Sequence, residues 1–163
     1  MAIALSYLFF LICLQGFLSV MLVPYPPPDL FFVFVISLLW RLPAWRLVLV
    51  AYLVGLLQDI IGAGYISLHA ITLAAAALVA NAVASQLAQR GVLANVVIIS
   101  SAMLAKWLMF CLLILWLANL EPFHQLLRVA PFEFVSSFIA CTIFLPFSDW
   151  LFRRYDIFRK EYH

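Results

Sequence analysis

VLANVVIISSAMLAKWLMFCLLILWLA, residues 92–118, holds one charged side chain, Lys106, in a run that is otherwise apolar or weakly polar. About 20 such residues, coiled as a helix, cross the hydrocarbon core of a bilayer. This run is long enough to span, and the rest of the chain resembles it. Hydrophobic residues make up 68% of the 163 residues and charged residues 10%; soluble domains carry about 45–50% and about 25%. No core of this size hides so much apolar surface, so the solvent is largely lipid. Backbone groups facing lipid must pair within the chain, which leaves helices or a closed barrel. Barrel strands alternate polar and apolar residues, whereas these runs are solid. The reading is an all-α integral membrane protein, a single polytopic domain built as a six-transmembrane-helix bundle.

Punctuation along the chain predicts helices at about 2–23, 30–41, 45–61, 67–89, 92–118 and 132–152, with a cytoplasmic tail at 153–163. The first run lacks a basic leader and ends at prolines, so it is expected to be a retained helix and not a cleaved signal. Pro24-Tyr25-Pro26-Pro27-Pro28 stops it, and Asp29 is placed to N-cap the second helix. That second helix is short for a bilayer. It either continues past Arg41 or crosses only part of the membrane under a cover of protein. Asn119-Leu120-Glu121-Pro122 opens the longest predicted loop, and Pro146 should kink the last helix.

Basic residues set the orientation. The ends that share a side with both termini carry Arg41, Arg46, Arg90, Arg153, Arg154, Arg159 and Lys160; the opposite ends carry only Arg128. Both termini are therefore expected in the cytoplasm. The tail residues Arg153, Arg154, Arg159 and Lys160 have two readings: a solvated topogenic tail, or a patch drawn to anionic lipid by about 1 kcal/mol per charge. The net charge of +2 says nothing of nucleic acid, and no nucleic-acid partner is expected. Cys13, Cys111 and Cys141 each lie in an apolar run and read as packed thiols.

Lys106 is the costliest residue in the chain, at about 2.5–3.5 kcal/mol for a charge at mid-helix. It is a functional or partner contact, a structural ion pair or buried neutral amine, or a snorkelling side chain. Gly55 and Asp59 stand four apart on one helix face, where the glycine admits a close neighbour and the carboxylate can meet a polar group. Two readings of Asp59 stand: it pairs with Lys106, or it caps the turn containing Gly62 and Gly64 and meets water. Ser67, Ala70, Ala74, Ala77, Asn81, Ala84 and Ala88 form a small-residue stripe on the fourth helix, with Asn81 an interhelical hydrogen-bond candidate. Trp40, Trp45 and Trp150 fall near the inner interface as an aromatic belt.

No catalytic set emerges. Asp59 and Asp149 are predicted at opposite faces and cannot form a protease dyad. Ser100 and Ser101 do not share the face of Lys106 well, and His69 and His124 lack partners at metal-site spacing. No enzyme activity, cofactor or metal is expected.

Pro28-Asp29-Leu30 opening a short apolar helix, Leu39-Trp40-Arg41-Leu42-Pro43 closing it, then Gly55-x-x-x-Asp59-Ile60-Ile61 and a glycine-containing turn, together resemble MreD, the rod shape-determining membrane proteins of bacteria. The motifs cover residues 24 to 80; elsewhere the match is only of apolar helices. Pro28, Asp29, Gly55 and Asp59 fall on family positions, and Lys106 does not. The family often has glycines four and eight residues after the aspartate; Ala63 and Ser67 stand there instead, which puts the turn geometry in question.

The resemblance implies a non-enzymatic scaffold or regulator of cell elongation in the bacterial inner membrane. Its partners would be the bitopic protein MreC and, directly or indirectly, RodA, a class B penicillin-binding protein and MreB. That assembly guides lateral peptidoglycan synthesis and rod shape. The implied fold is similar to the substrate-binding subunits of energy-coupling-factor transporters. That similarity opens the alternative of a small-ligand-binding transporter subunit, which would need an outward polar pocket.

Overall fold

The computed structural model describes residues 2–23, 25–62, 67–87, 91–117 and 121–154. They form six helices and no strand: α1 (Ala2–Met21), α2 (Leu30–Ser37), α3 (Ala44–Gly62), α4 (Leu68–Gln86), α5 (Val92–Leu117) and α6 (Glu121–Arg154). Five of them, all but α2, are long and apolar enough to cross a membrane.

The exception organises the rest. With eight residues, α2 rises only about 12 Å, so of the two alternatives the short, protein-covered one holds. Every residue from Leu30 to Ser37 is buried. LFFVFVIS has no polar face, and a helix apolar all round belongs inside a bundle. Neighbours on α1, α3, α4 and α6 enclose it. Tyr7 of α1 lies edge-on to Phe152 of α6 with ring centroids 5.6 Å apart, and beside Phe34 of α2. Past Ser37 the backbone tightens into turns, with Leu38 N–H donating to Val35 and Leu39 N–H to Ile36. Pro43 then separates α2 from α3. At this exit Arg41 pairs with Asp149 of α6 at 2.5 Å, which puts the connection between α2 and α3 at the same end of the bundle as the end of α6.

α3 and α4 run against each other as a hairpin, and α4 also packs along α5. A Cβ on Gly55 would lie 2.4 Å from Cα of Ala70 and 2.7 Å from the carbonyl oxygen of His69. Only glycine permits this approach. The small-residue stripe is wider than expected. Ala70, Ala77 and Ala84 are buried, but so are Leu73, Ala76 and Ala80, while Ala74 and Asn81 are only half-buried. The reason is that α4 is sandwiched between two helices, so its small residues serve two faces. Ala88 lies outside the described residues, as do Arg90, Arg159 and Lys160.

The start of α6 corrects the predicted loop. The helix begins at Glu121, not at 132, and runs through both Pro131 and Pro146. Pro122 sits in the first turn, where a missing N–H costs nothing. The mixed polar stretch 121–130 is thus the first part of a long helix. Among the cysteines, Cys141 is buried, but Cys13 is exposed on α1, so packing does not describe it. Of the three tryptophans read as a belt, Trp45 and Trp150 are exposed, whereas Trp40 is half-buried and packs against the core.

Candidate functional site

The polar groups of the bundle converge on the start of α2. A helix leaves its first N–H groups without partners, and at this depth no lipid can supply one. The chain supplies them from three places. Asp29 Oδ1 accepts from the N–H of Phe32 at 3.1 Å. The N–H of Leu30 donates to Gln15 Oε1 of α1 at 2.9 Å. The N–H of Asp29 donates to Ser137 Oγ of α6 at 2.8 Å. Pro28, just before, is buried and has no N–H to satisfy.

Asp29 also meets Lys106. The Lys106 ammonium lies 2.5 Å from Asp29 Oδ2 and 2.7 Å from Glu133 Oε1 of α6. Lys106 and Asp29 side chains are only 5% and 4% exposed, and Glu133 is 21% exposed. One ammonium therefore joins α2, α5 and α6 at a point where charge is expensive. Taking a charge out of water is offset only by close, well-bonded partners, and here the ammonium has two.

A second polar pair lies alongside. Asp59 Oδ1 accepts from the N–H of His69 at 3.0 Å and contacts His69 Nδ1 at 2.7 Å. Asp59 Oδ2 accepts from the N–H of Ala70 at 3.3 Å. Ser67, the residue at the N-cap position of α4, makes no side-chain cap bond. Asp59 caps α4 from α3, reaching across the contact that Gly55 permits. A cavity of about 30 Å³ lined by His69, Lys106, Trp107, Phe110 and Glu133 joins the two groups. That is about the space of one water molecule.

Both readings of Asp59 are thereby corrected. It does not pair with Lys106, whose carboxylate partners are Asp29 and Glu133. Among the described residues it caps α4, and at 2% exposure it does not meet water, while the turn holding Gly64 lies outside the described residues. Asp29 is the cap the sequence indicated, with an ion pair added. Glu133 was missed because the predicted loop put it at the outer edge; with α6 starting at Glu121 it lies three turns inside the helix. Gln15 and Ser137 were missed as well. Gln15 carried a signal, since it is the one side-chain amide in the first helix and such a group in lipid needs a partner. Asn81 is half-buried on α4. At the other end of the bundle, Arg153 is 80% exposed and Arg154 lies over the ring of Trp150.

Among the described residues, no group of three His, Cys, Asp or Glu side chains is arranged to hold a metal ion. Compared with protein-family models, curated proteins and solved structures, the chain gives no match.

Proposed function

We propose that this chain is a non-enzymatic membrane scaffold of the MreD kind. In this reading it resides in a bacterial inner membrane and crosses six times with both termini in the cytoplasm. The second crossing is made by the proline stretch and the half-length α2 together, in a bundle similar to the substrate-binding subunits of energy-coupling-factor transporters. It binds MreC, and through that assembly supports RodA, a class B penicillin-binding protein and MreB in lateral peptidoglycan synthesis.

One observation carries the reading. The four residues that fall on the family pattern, Pro28, Asp29, Gly55 and Asp59, are all buried and all build. They start a buried half-helix, bring α3 against α4, and cap α4. Lys106 is occupied by two carboxylates and His69 by a third. That is how intramembrane charges are used to fix a shape. The ligand-subunit alternative gains nothing from this region, because a cavity of about 30 Å³ beside Glu133 and His69 compares poorly with the 300–1,000 Å³ typical of ligand pockets.

Co-expression with an MreC-type bitopic protein, followed by affinity purification in mild detergent, tests the proposal. A stable complex is expected, and the Lys106→Met variant should weaken it. Failure of the wild-type chain to associate in several detergents and in native membranes would overturn the scaffold reading. A fluorescent protein fused after His163 tests orientation separately: it should be bright from the cytoplasm, and fluorescence lost with export would reverse the topology.

A further inference from the structure

A larger cavity than the one beside Lys106 lies away from the buried ions, at the end of the bundle where α2 gives way to α3. It holds about 400 Å³ between the exit of α2, the start of α5 and the last turns of α6. Its lining changes character with depth. Ile98 is buried in the apolar core and, with Leu145, gives the cavity an apolar wall. Arg41, Asn95, Asp149 and Arg153 give it a polar one. Among these residues two guanidinium groups face one carboxylate. Asp149 Oδ1 is 2.5 Å from Arg41, and its Oδ2 is 3.9 Å from Arg153. The carboxylate is therefore shared, and the described residues of the polar wall carry a net positive charge. Arg41 is 14% exposed at its side chain, and its Nε is buried without a hydrogen-bond partner among the described residues. A buried donor of this kind calls for an acceptor.

An amphiphilic cavity with a cationic polar wall, at a membrane interface, matches one ligand chemistry: an apolar chain joined to an anionic phosphate headgroup. We propose that this cavity binds an anionic phospholipid, with the phosphate against Arg41 and Arg153 and an acyl chain against the Ile98 and Leu145 wall. Basic pockets between transmembrane helices on the cytoplasmic side select anionic headgroups in this way. That the lipid comes from the inner leaflet rests on the orientation proposed above; the binding chemistry does not.

Native mass spectrometry of the full, delipidated chain in detergent tests this, with phosphatidylglycerol and phosphatidylethanolamine of identical acyl chains as probes. One phosphatidylglycerol should bind per chain, several-fold more tightly than phosphatidylethanolamine. Arg153→Gln, at an exposed position, should lower phosphatidylglycerol affinity about fivefold, the equivalent of about 1 kcal/mol. Arg41→Gln should lower it at least as much. Asn95→Trp, also exposed at the cavity, should weaken both lipids by filling space. Equal binding of the two lipids, or wild-type affinity in both arginine variants, would overturn the proposal. So would wild-type binding by Asn95→Trp, which would mean a charged surface and no cavity. Displacement of the lipid by millimolar glycerol phosphate would overturn the role of the acyl chain. Because Arg153→Gln and Asn95→Trp alter exposed residues, the proposal stays testable if Arg41→Gln fails to fold. If the fusion reports an external C-terminus while phosphatidylglycerol still binds selectively, the orientation falls and the site stands.

Discussion

Where α3 meets α4, a methyl group on Gly55 would come within 2.4 Å of the Ala70 backbone. Where α2, α5 and α6 meet, the contact is made by the ends of long side chains, Lys106 reaching Asp29 and Glu133. Both joints hold helices together in lipid, where apolar surface gives no preference for protein over solvent. They should fail differently. A joint of small residues loses stability in proportion to the volume forced into it. A joint of buried charges collapses when one partner goes, because the others are left uncompensated. The first is local in sequence, between Gly55 and Ala70. The second ties together residues 29, 106 and 133.

The largest expected effect follows from the charged joint. Lys106→Met should cost about 3–5 kcal/mol of unfolding free energy, since it strands the Asp29 and Glu133 carboxylates in the bundle. Denaturation in mixed micelles measures it. The triple neutral variant Lys106→Met, Asp29→Asn, Glu133→Gln should regain most of that loss. If the triple variant is no better than the single one, the charges are not the joint. Asp59→Ala combined with Lys106→Met should couple by less than about 1 kcal/mol, since the Lys106 and Asp59–His69 groups border one small cavity but share no hydrogen-bond partner. A coupling of 1 kcal/mol or more would join the two polar groups into one network and erase the contrast.

That asymmetry also decides what could be seen in the sequence. The helices, the small-residue contact at Gly55 and the cap at Asp29 were legible, because each depends on a pattern within one or two turns. The partners of Lys106 were not. An ammonium at mid-helix announces that it needs a carboxylate, but which one depends on how deep each helix begins. Glu133 looked superficial only because the loop opened by Asn119-Leu120-Glu121-Pro122 put the start of the last helix at about 132. Prolines are tolerated inside membrane helices, and α6 starts one residue before Pro122 and continues through Pro131. Asp59 misled in the opposite sense. Its spacing from Gly55 was read correctly as one face, but the close approach brings the α4 backbone within reach, and two N–H groups outcompete a distant lysine.

Gly55→Ala sharpens the second half of the contrast. Its Cβ meets backbone, which cannot rotate away, so α3 and α4 must separate. The expected cost is about 1–3 kcal/mol. Gly16→Ala is the control, since nothing lies within 4 Å of a Cβ there. It should be neutral or stabilise α1 by up to about 1 kcal/mol. Equal behaviour of the two variants in the same denaturation assay would mean that the α3–α4 approach is not tight.

The smallest effect concerns Ser67, where the family resemblance leads one to expect glycine. Its φ of 78° lies in the left-handed region, which costs an L-residue about 1–2 kcal/mol and glycine little. The serine hydroxyl does not repay that strain, because it makes no cap bond; Asp59 supplies the cap from the neighbouring helix. Ser67→Gly should therefore stabilise the protein, by about 1 kcal/mol or less once the greater freedom of glycine in the unfolded chain is counted. Ser67→Ala should be close to neutral. A loss near 1 kcal/mol in Ser67→Ala, the usual cost of removing a cap, would show that the hydroxyl holds α4 and that Asp59 does not. The hairpin would then be fastened by its own turn, and the reach of Asp59 across the Gly55 contact would lose its structural purpose.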